Sequence, residues 1–169
     1  MTLLANGSNL KKMRQKLRVG WFSFSCCEDS TIIFTELLND HWQVWKDKIE
    51  FVHALVLKKK NELKDLDIAF VEGAITTESQ EVLLKQIRIN SKKLVAIGSC
   101  ACTGMPSAQR NWFNDEKKKE INNLLIRFKY ADKVKRLKDI VQVDAEVNGC
   151  PMVEQVFLQV INDLISKVQ

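Results

Sequence analysis

Five cysteines carry the most distinctive chemistry in this sequence, and they fall at or just past the ends of apolar runs. Residues 19–24 lead into Cys26 and Cys27, residues 94–97 into Cys100 and Cys102, and residues 140–147 into Gly149 and Cys150. Runs of this composition read as buried strands. In an open α/β sheet, ligands bind in the crevice beyond the carboxyl ends of the strands. Thiols delivered to one such rim can ligate a metal, run redox chemistry or act as nucleophiles.

Spacing separates these options. A zinc site is normally announced by short Cys-x-x-Cys pairs; none is present, and Cys100-x-Cys102 is too short for one. A nucleophilic thiol needs a base beside it, and the two histidines, His41 and His53, fall away from the strand-end rim. An iron–sulfur cluster is held by four thiolates that can come from distant segments. Cys26, Cys27, Cys100 and Cys150 supply four. Gly98 and Gly149 flank them and leave room for backbone beside a bulky inorganic group. Cys150 is placed at the start of the closing helix, where the helix dipole favours negative charge. Cys102 reads as a core residue, because free cysteine is among the most buried residue types.

The rest of the chain must hold those ends together. Its 169 residues suit one domain. Hydrophobic content of 46% and charged content of 28% are ordinary for a globular protein. A net charge of +5 is spread over short lysine bursts at 58–60, 92–93 and 117–119, without the aromatic grouping of a nucleic-acid surface. No apolar run approaches the ~18 to 20 residues of a membrane span. The first residues lack the apolar core of a secretory signal. A cytoplasmic setting with reduced thiols follows as the expectation.

Residues 1–16 are expected to be a tail, and 17–169 the domain. Strands are expected at 17–24, 49–57, 66–71, 93–97 and 140–143. Apolar spacing predicts a helix from Asp29 to about residue 40 through Ile33, Phe34, Leu37 and Leu38. His41, Trp42 and Trp45 then form a connector. Thr77-x-x-Gln80 reads as a capping box opening a helix with Val82, Leu83 and Ile87 inward. A further helix spans 114–129 with Ile121, Leu124, Leu125 and Phe128 on one side. Pro151 suits the first turn of a closing helix striped by Val153, Val156, Phe157, Val160, Ile161, Leu164, Ile165 and Val168. Strands alternating with helices give an α/β fold, a three-layer sandwich with a parallel, doubly wound sheet.

Four ordered stretches then stand out together: Trp-Phe-Ser-Phe-Ser-Cys-Cys-Glu at 21–28, Phe-Val-Glu-Gly-Ala at 70–74, Ala-Ile-Gly-Ser-Cys-Ala-Cys-Thr-Gly at 96–104 and Asn-Gly-Cys-Pro at 148–151. In this the chain resembles the small subunit of nickel–iron hydrogenases and its relative, the 20 kDa subunit of NADH:quinone oxidoreductase. The resemblance covers about residues 19–164. It implies a flavodoxin-like domain carrying one 4Fe–4S cluster, packed against a large subunit with a nickel–iron centre and passing electrons to downstream iron–sulfur or diaphorase subunits. Cys27, Cys100 and Cys150 match ligand positions of the family, and Glu72 matches an acidic residue near the cluster and the subunit interface.

The first motif departs from the hydrogenase pattern. Its Cys-x-x-Cys frame reads Cys27-Glu28-Asp29-Ser30 here, so either Ser30 stands in for a ligand or Cys26 supplies it. Tandem cysteines are the complex I solution and favour Cys26 with Cys27. The stretch Thr103-Gly-Met-Pro-Ser resembles the hydrogenase version, with one of its paired glycines missing. Glu28, Asp29 and Glu72 would lower the potential of a cluster beside them. The chain's end at Gln169 leads to the expectation of a single cluster in a soluble complex. The alternatives are a quinone- or ferredoxin-linked complex I-like module and a cluster-less assembly partner.

Overall fold

A computed structural model describes residues 16–166. The expected tail, apart from Lys16, and Val168 lie outside the described residues. Strands β1 (Leu17–Ser23), β2 (Ile49–Ala54), β3 (Leu66–Glu72), β4 (Ser91–Ile97) and β5 (Ala145–Val147) form one sheet in the order β2-β1-β3-β4-β5. Every pairing is parallel. This is the flavodoxin-like order, in which the chain reverses its direction of travel across the sheet between β1 and β3.

Helices α1 (Asp29–Trp45) and α5 (Glu154–Ser166) cover one face; α2 (Glu78–Ile89) and the short α3 (Gly98–Thr103) cover the other. Helix α4 (Asp115–Arg127) lies apart from both cores. Alternate strand residues feed opposite faces. Val19, Trp21, Ile68, Phe70, Val95 and Ile97 meet Phe34, Leu37, Phe157 and Ile161 on one side. Phe22, Ala69, Val71, Leu94 and Ala96 meet Leu84, Ile87 and Cys102 on the other. All residues of β3 are buried, which makes it the spine of the sheet.

The first core is aromatic. Trp21 stacks on Phe34 at 4.1 Å, and the Phe157 ring lies 5.3 Å from Phe70 and 6.0 Å from Trp21. Such pairs contribute about 0.5–1.5 kcal/mol each beyond the area they bury. Phe157 therefore pins α5 to the middle of the sheet.

Several local expectations are corrected. Helix α1 does not stop near residue 40: His41, Trp42 and Trp45 belong to it, and Trp45 is buried at 1% exposure, which offsets the cost of ordering another turn of helix. Strand β2 ends at Ala54, whose amide donates to Asn61 Oδ1 at 2.7 Å as the chain turns. On α2 the inward residues are Leu84 and Ile87, while Val82 and Leu83 are exposed. Thr77 caps it by accepting from the Gln80 amide, but the Gln80 side chain reaches Thr76 rather than Thr77.

The last strand forms at 145–147, not 140–143. Ile140, Val141 and Val143 pack against the second core without pairing, and Asp144 sets the register with its carboxylate on the Leu94 amide at 2.9 Å. Helix α5 begins at Glu154, so Pro151 lies ahead of it rather than in its first turn.

Candidate functional site

The site is built where strand ends are sewn together by backbone hydrogen bonds. The Phe24 amide donates to Glu72 O at 2.8 Å, and Ser25 and Ala74 exchange bonds of 3.1 and 3.0 Å. That ties the exit of β1 to the exit of β3. The Ser99 amide donates to Gly149 O at 2.7 Å, and the Ser99 hydroxyl to Asn148 Oδ1 at 3.0 Å, tying the exit of β4 to that of β5.

Around the resulting depression stand Cys26, Cys27, Cys100 and Cys150, with Asp29, Ser30, Glu72, Gly98 and Gly149. Cys100 is buried, Cys26 half-buried, and Cys27 and Cys150 exposed. Cys100 lies just past the end of β4, inside the short helix α3. Cys150 precedes α5 by four residues and does not occupy its N-terminus. Cys102 points the other way, into the second core, with Sγ 3.6 Å from Ala96 O.

Two glycines permit the close approach. Gly98 has φ +78°, and a Cβ there would sit 2.9 Å from Ser30 Oγ. Gly149 has φ +120°, and a Cβ there would sit 2.5 Å from Pro151 O. An L side chain at either position meets both backbone strain and a clash.

Ser30 is 3% exposed, and its Oγ accepts the Met152 amide at 3.2 Å. Beside it, Glu72 accepts from the Thr31 hydroxyl at 2.6 Å and the Ser30 amide at 3.2 Å. Thr31 in turn accepts from Trp21 Nε1 at 2.9 Å. Trp21, Thr31 and Glu72 thus link the aromatic core to the rim. Thr31 carried no signal in the sequence, since a threonine in the first turn of a helix is ordinary. Glu28 is exposed, with φ +64°, just ahead of α1.

Burial pushes the Glu72 carboxyl above its ordinary range, against the Thr31, Ser30 and Cys26 donors that favour its ionised form. Burial, with Glu72 beside it, pushes the Cys26 thiol up to about 12. A thiol held that high stays protonated at neutral pH unless a cation lies against its sulfur. For Cys27 the Asp29 amide pulls downward, but the Asp29 carboxylate and partial burial outweigh it and the net shift is upward.

Among the described residues no three Cys, His, Asp or Glu side chains converge on a point as one bare ion would need. Thiols from four chain positions surround a common depression instead. Their donor set is all sulfur, without imidazole, and suits a group whose metal atoms are spread over several positions. The residues fit an iron–sulfur cluster on that ground.

A parallel, doubly wound α/β domain with thiols gathered at its carboxyl rim is the class that fold and site define. The chain belongs to the family of the NADH ubiquinone oxidoreductase 20 kDa subunit, whose model matches residues 26–164. It is 28% identical to one subunit of the F420-non-reducing hydrogenase of Methanothermobacter marburgensis, over 90% of this chain and 54% of that protein. It is 22% identical to the delta subunit of the NAD-reducing hydrogenase HoxS of Cupriavidus necator, over 89% of this chain and 79% of the other. A chain of the solved NAD+-reducing NiFe hydrogenase superposes with a TM-score of 0.76 at 22% identity, covering 90% of this chain and 92% of that one. That likeness concerns the fold. The chain spans about half the length of the first curated relatives it matches. No helix among the described residues is long and apolar enough to cross a membrane.

Proposed function

We propose that this chain is the electron-transfer subunit of a nickel–iron hydrogenase complex, holding one 4Fe–4S cluster on Cys26, Cys27, Cys100 and Cys150. The observation that carries the reading is the gathering of these thiols around one depression from the ends of β1, β4 and β5. Hydrogenase subunits among its relatives support it. When bound, the cluster supplies a one-electron carrier.

The chain's own residues bind and orient. Cys100 gives a buried anchor, and Cys26 sits against Glu72. Cys27 and Cys150 are exposed at the open side, where a partner's redox centre would approach. Ser30 is committed to the Met152 amide, which favours Cys26 over Ser30 as the fourth ligand.

A groove of about 780 Å³ runs from Cys26 and Ser25 along Ile121, Leu124 and Phe128. No residue of α4 is buried within the chain. A helix with an apolar side left uncovered is stable when a partner covers it. We assign this side to the large subunit with its nickel–iron centre, with diaphorase or iron–sulfur subunits downstream and the complex in the cytoplasm. The tandem Cys26-Cys27 favours one second reading, a complex I-like module linked to quinone or ferredoxin.

Iron and sulfide analysis of anaerobically purified protein, with low-temperature EPR after reduction, tests the proposal. About four irons per chain and a fast-relaxing signal are expected. Absence of both overturns it and leaves the cluster-less assembly partner. Nickel in the co-purifying subunit separates hydrogenase from the complex I-like module.

A further inference from the structure

We propose that Ser107 is a positioning residue for the Cys100 sulfur: its hydroxyl donates to the thiolate and raises the reduction potential of the group that thiolate holds. The inference rests on the reading of Cys100 as a cluster ligand.

Ser107 Oγ donates to Ser25 O at 3.2 Å and lies 3.2 Å from Cys100 Sγ, a pair in which either atom can be the donor. A hydroxyl has one proton to give. Ser25 O already accepts the Ala74 amide at 3.0 Å and does not depend on Ser107. A ligating thiolate has no proton and can only accept. Once Cys100 is a thiolate, the single Ser107 proton can turn from Ser25 O, which keeps the Ala74 amide, to the Cys100 sulfur, which has no proton of its own.

The local structure holds the hydroxyl in place. The Ala108 amide donates to Gly104 O at 2.7 Å, and Ala108 packs at 3% exposure in a small cluster with Cys100, Ala74 and Val134. Asn111 bonds the Val134 backbone through both its oxygen and its nitrogen, at 2.9 and 2.8 Å. Ser107 is thus held in the turn that the Ala108–Gly104 bond closes and by the anchored segment that follows it.

Cys100 is 7% exposed, so little water competes for its sulfur. In such surroundings a hydrogen bond is electrostatically stronger than in water. A donor to a charged group favours the more charged form. Reduction makes the cluster and its thiolates more negative, so the Ser107 donor favours the reduced state. Hydrogen bonds to sulfur are among the levers that set iron–sulfur potentials.

The test uses the full chain with its co-purified partners, as wild type, Ser107→Ala and Ser107→Thr. Iron and sulfide are measured first, and the midpoint then follows from an EPR-monitored redox titration. Wild-type iron content in both variants is expected, with the midpoint moved negative in Ser107→Ala and kept in Ser107→Thr. An unmoved midpoint in a fully loaded Ser107→Ala overturns the proposal. Ser107→Gly removes the same donor and decides in the same way should the alanine variant fail to assemble. A wild-type protein without iron and sulfide overturns the ligand reading instead, which keeps the two failures apart.

Discussion

The hydroxyl of Ser30 accepts the backbone N–H of Met152 at 3.2 Å, across 122 positions of sequence. The bond joins the first turn of α1, just past Cys26 and Cys27, to the turn just past Cys150. It makes Ser30 a brace between two thiol-bearing loops, at the position where the related pattern carries cysteine.

Ser30→Ala is therefore expected to keep its iron and lose stability. Met152 is 2% exposed, and its amide would be left without a partner. An orphaned buried donor costs about 1–3 kcal/mol. Cys26→Ala is expected to lose the cluster while folding. Iron analysis and chemical denaturation of both variants check this. Iron lost from Ser30→Ala but kept in Cys26→Ala would reverse the ligand assignment.

Asp144 offers a pH-dependent test of the β4–β5 join. Its carboxylate takes Arg88 at 2.7 Å, Lys93 at 2.9 Å and the Leu94 amide at 2.9 Å. Burial pushes its carboxyl up, but the Lys93, Leu94 and Arg88 donors outweigh that and hold it below the ordinary range. A depressed carboxyl stabilises the fold above its unfolded pKa of about 3.9, and the contribution fades as pH falls through the folded value. Asp144→Asn should cost about 1–3 kcal/mol at pH 7. It should also flatten the loss of stability below about pH 4. Equal stability of variant and wild type at pH 7 would refute the clamp.

Cys102 should behave as core. It is 1% exposed, and burial, with Glu146 nearby, pushes its thiol up to about 12. Cys102→Ala is expected to keep all iron and lose about 1 kcal/mol for the small cavity. In the metal-free folded protein, iodoacetamide should label exposed Cys27 and Cys150 well before Cys102. Peptide mass spectrometry reads the order, and early labelling of Cys102 would contradict its placement.

The rim was legible in the sequence because buried strands and their exits have different compositions. Residues 94–97 are all apolar, and Gly98 marks the break beyond them. What escaped were features decided by distant contacts. Trp45 extends α1 because it finds a buried place against Phe157, at 6.4 Å, which no local pattern states. Ile140–Val143 has strand composition, yet Asp144 bonds Leu94 and starts the pairing later. Ser30 and Ser107 are small polar residues whose roles depend on Met152 and Cys100, far from them in the chain or across a turn.

Helix α4 gives the sharpest separation of folding from assembly. The apolar spacing of Ile121, Leu124, Leu125 and Phe128 is that of a helix facing a core, but Leu124 is 52% exposed and Phe128 58%. Both line the groove that reaches Cys26. Substitution of a largely exposed residue outside the core shifts stability by about 0.5 kcal/mol or less. At the centre of a protein interface, a buried charge or a lost aromatic anchor costs about 2 kcal/mol or more. Leu124→Asp and Phe128→Ser should each fold with stability near that of the parent. Each should bind the large subunit at least about tenfold more weakly, a loss of about 1.4 kcal/mol or more. Calorimetric titration of the isolated chains measures the affinity, and denaturation of the free chain measures the stability. Unchanged affinity in both variants would remove α4 from the interface, whereas a large loss of stability in the free chain would mean that its apolar side serves the fold.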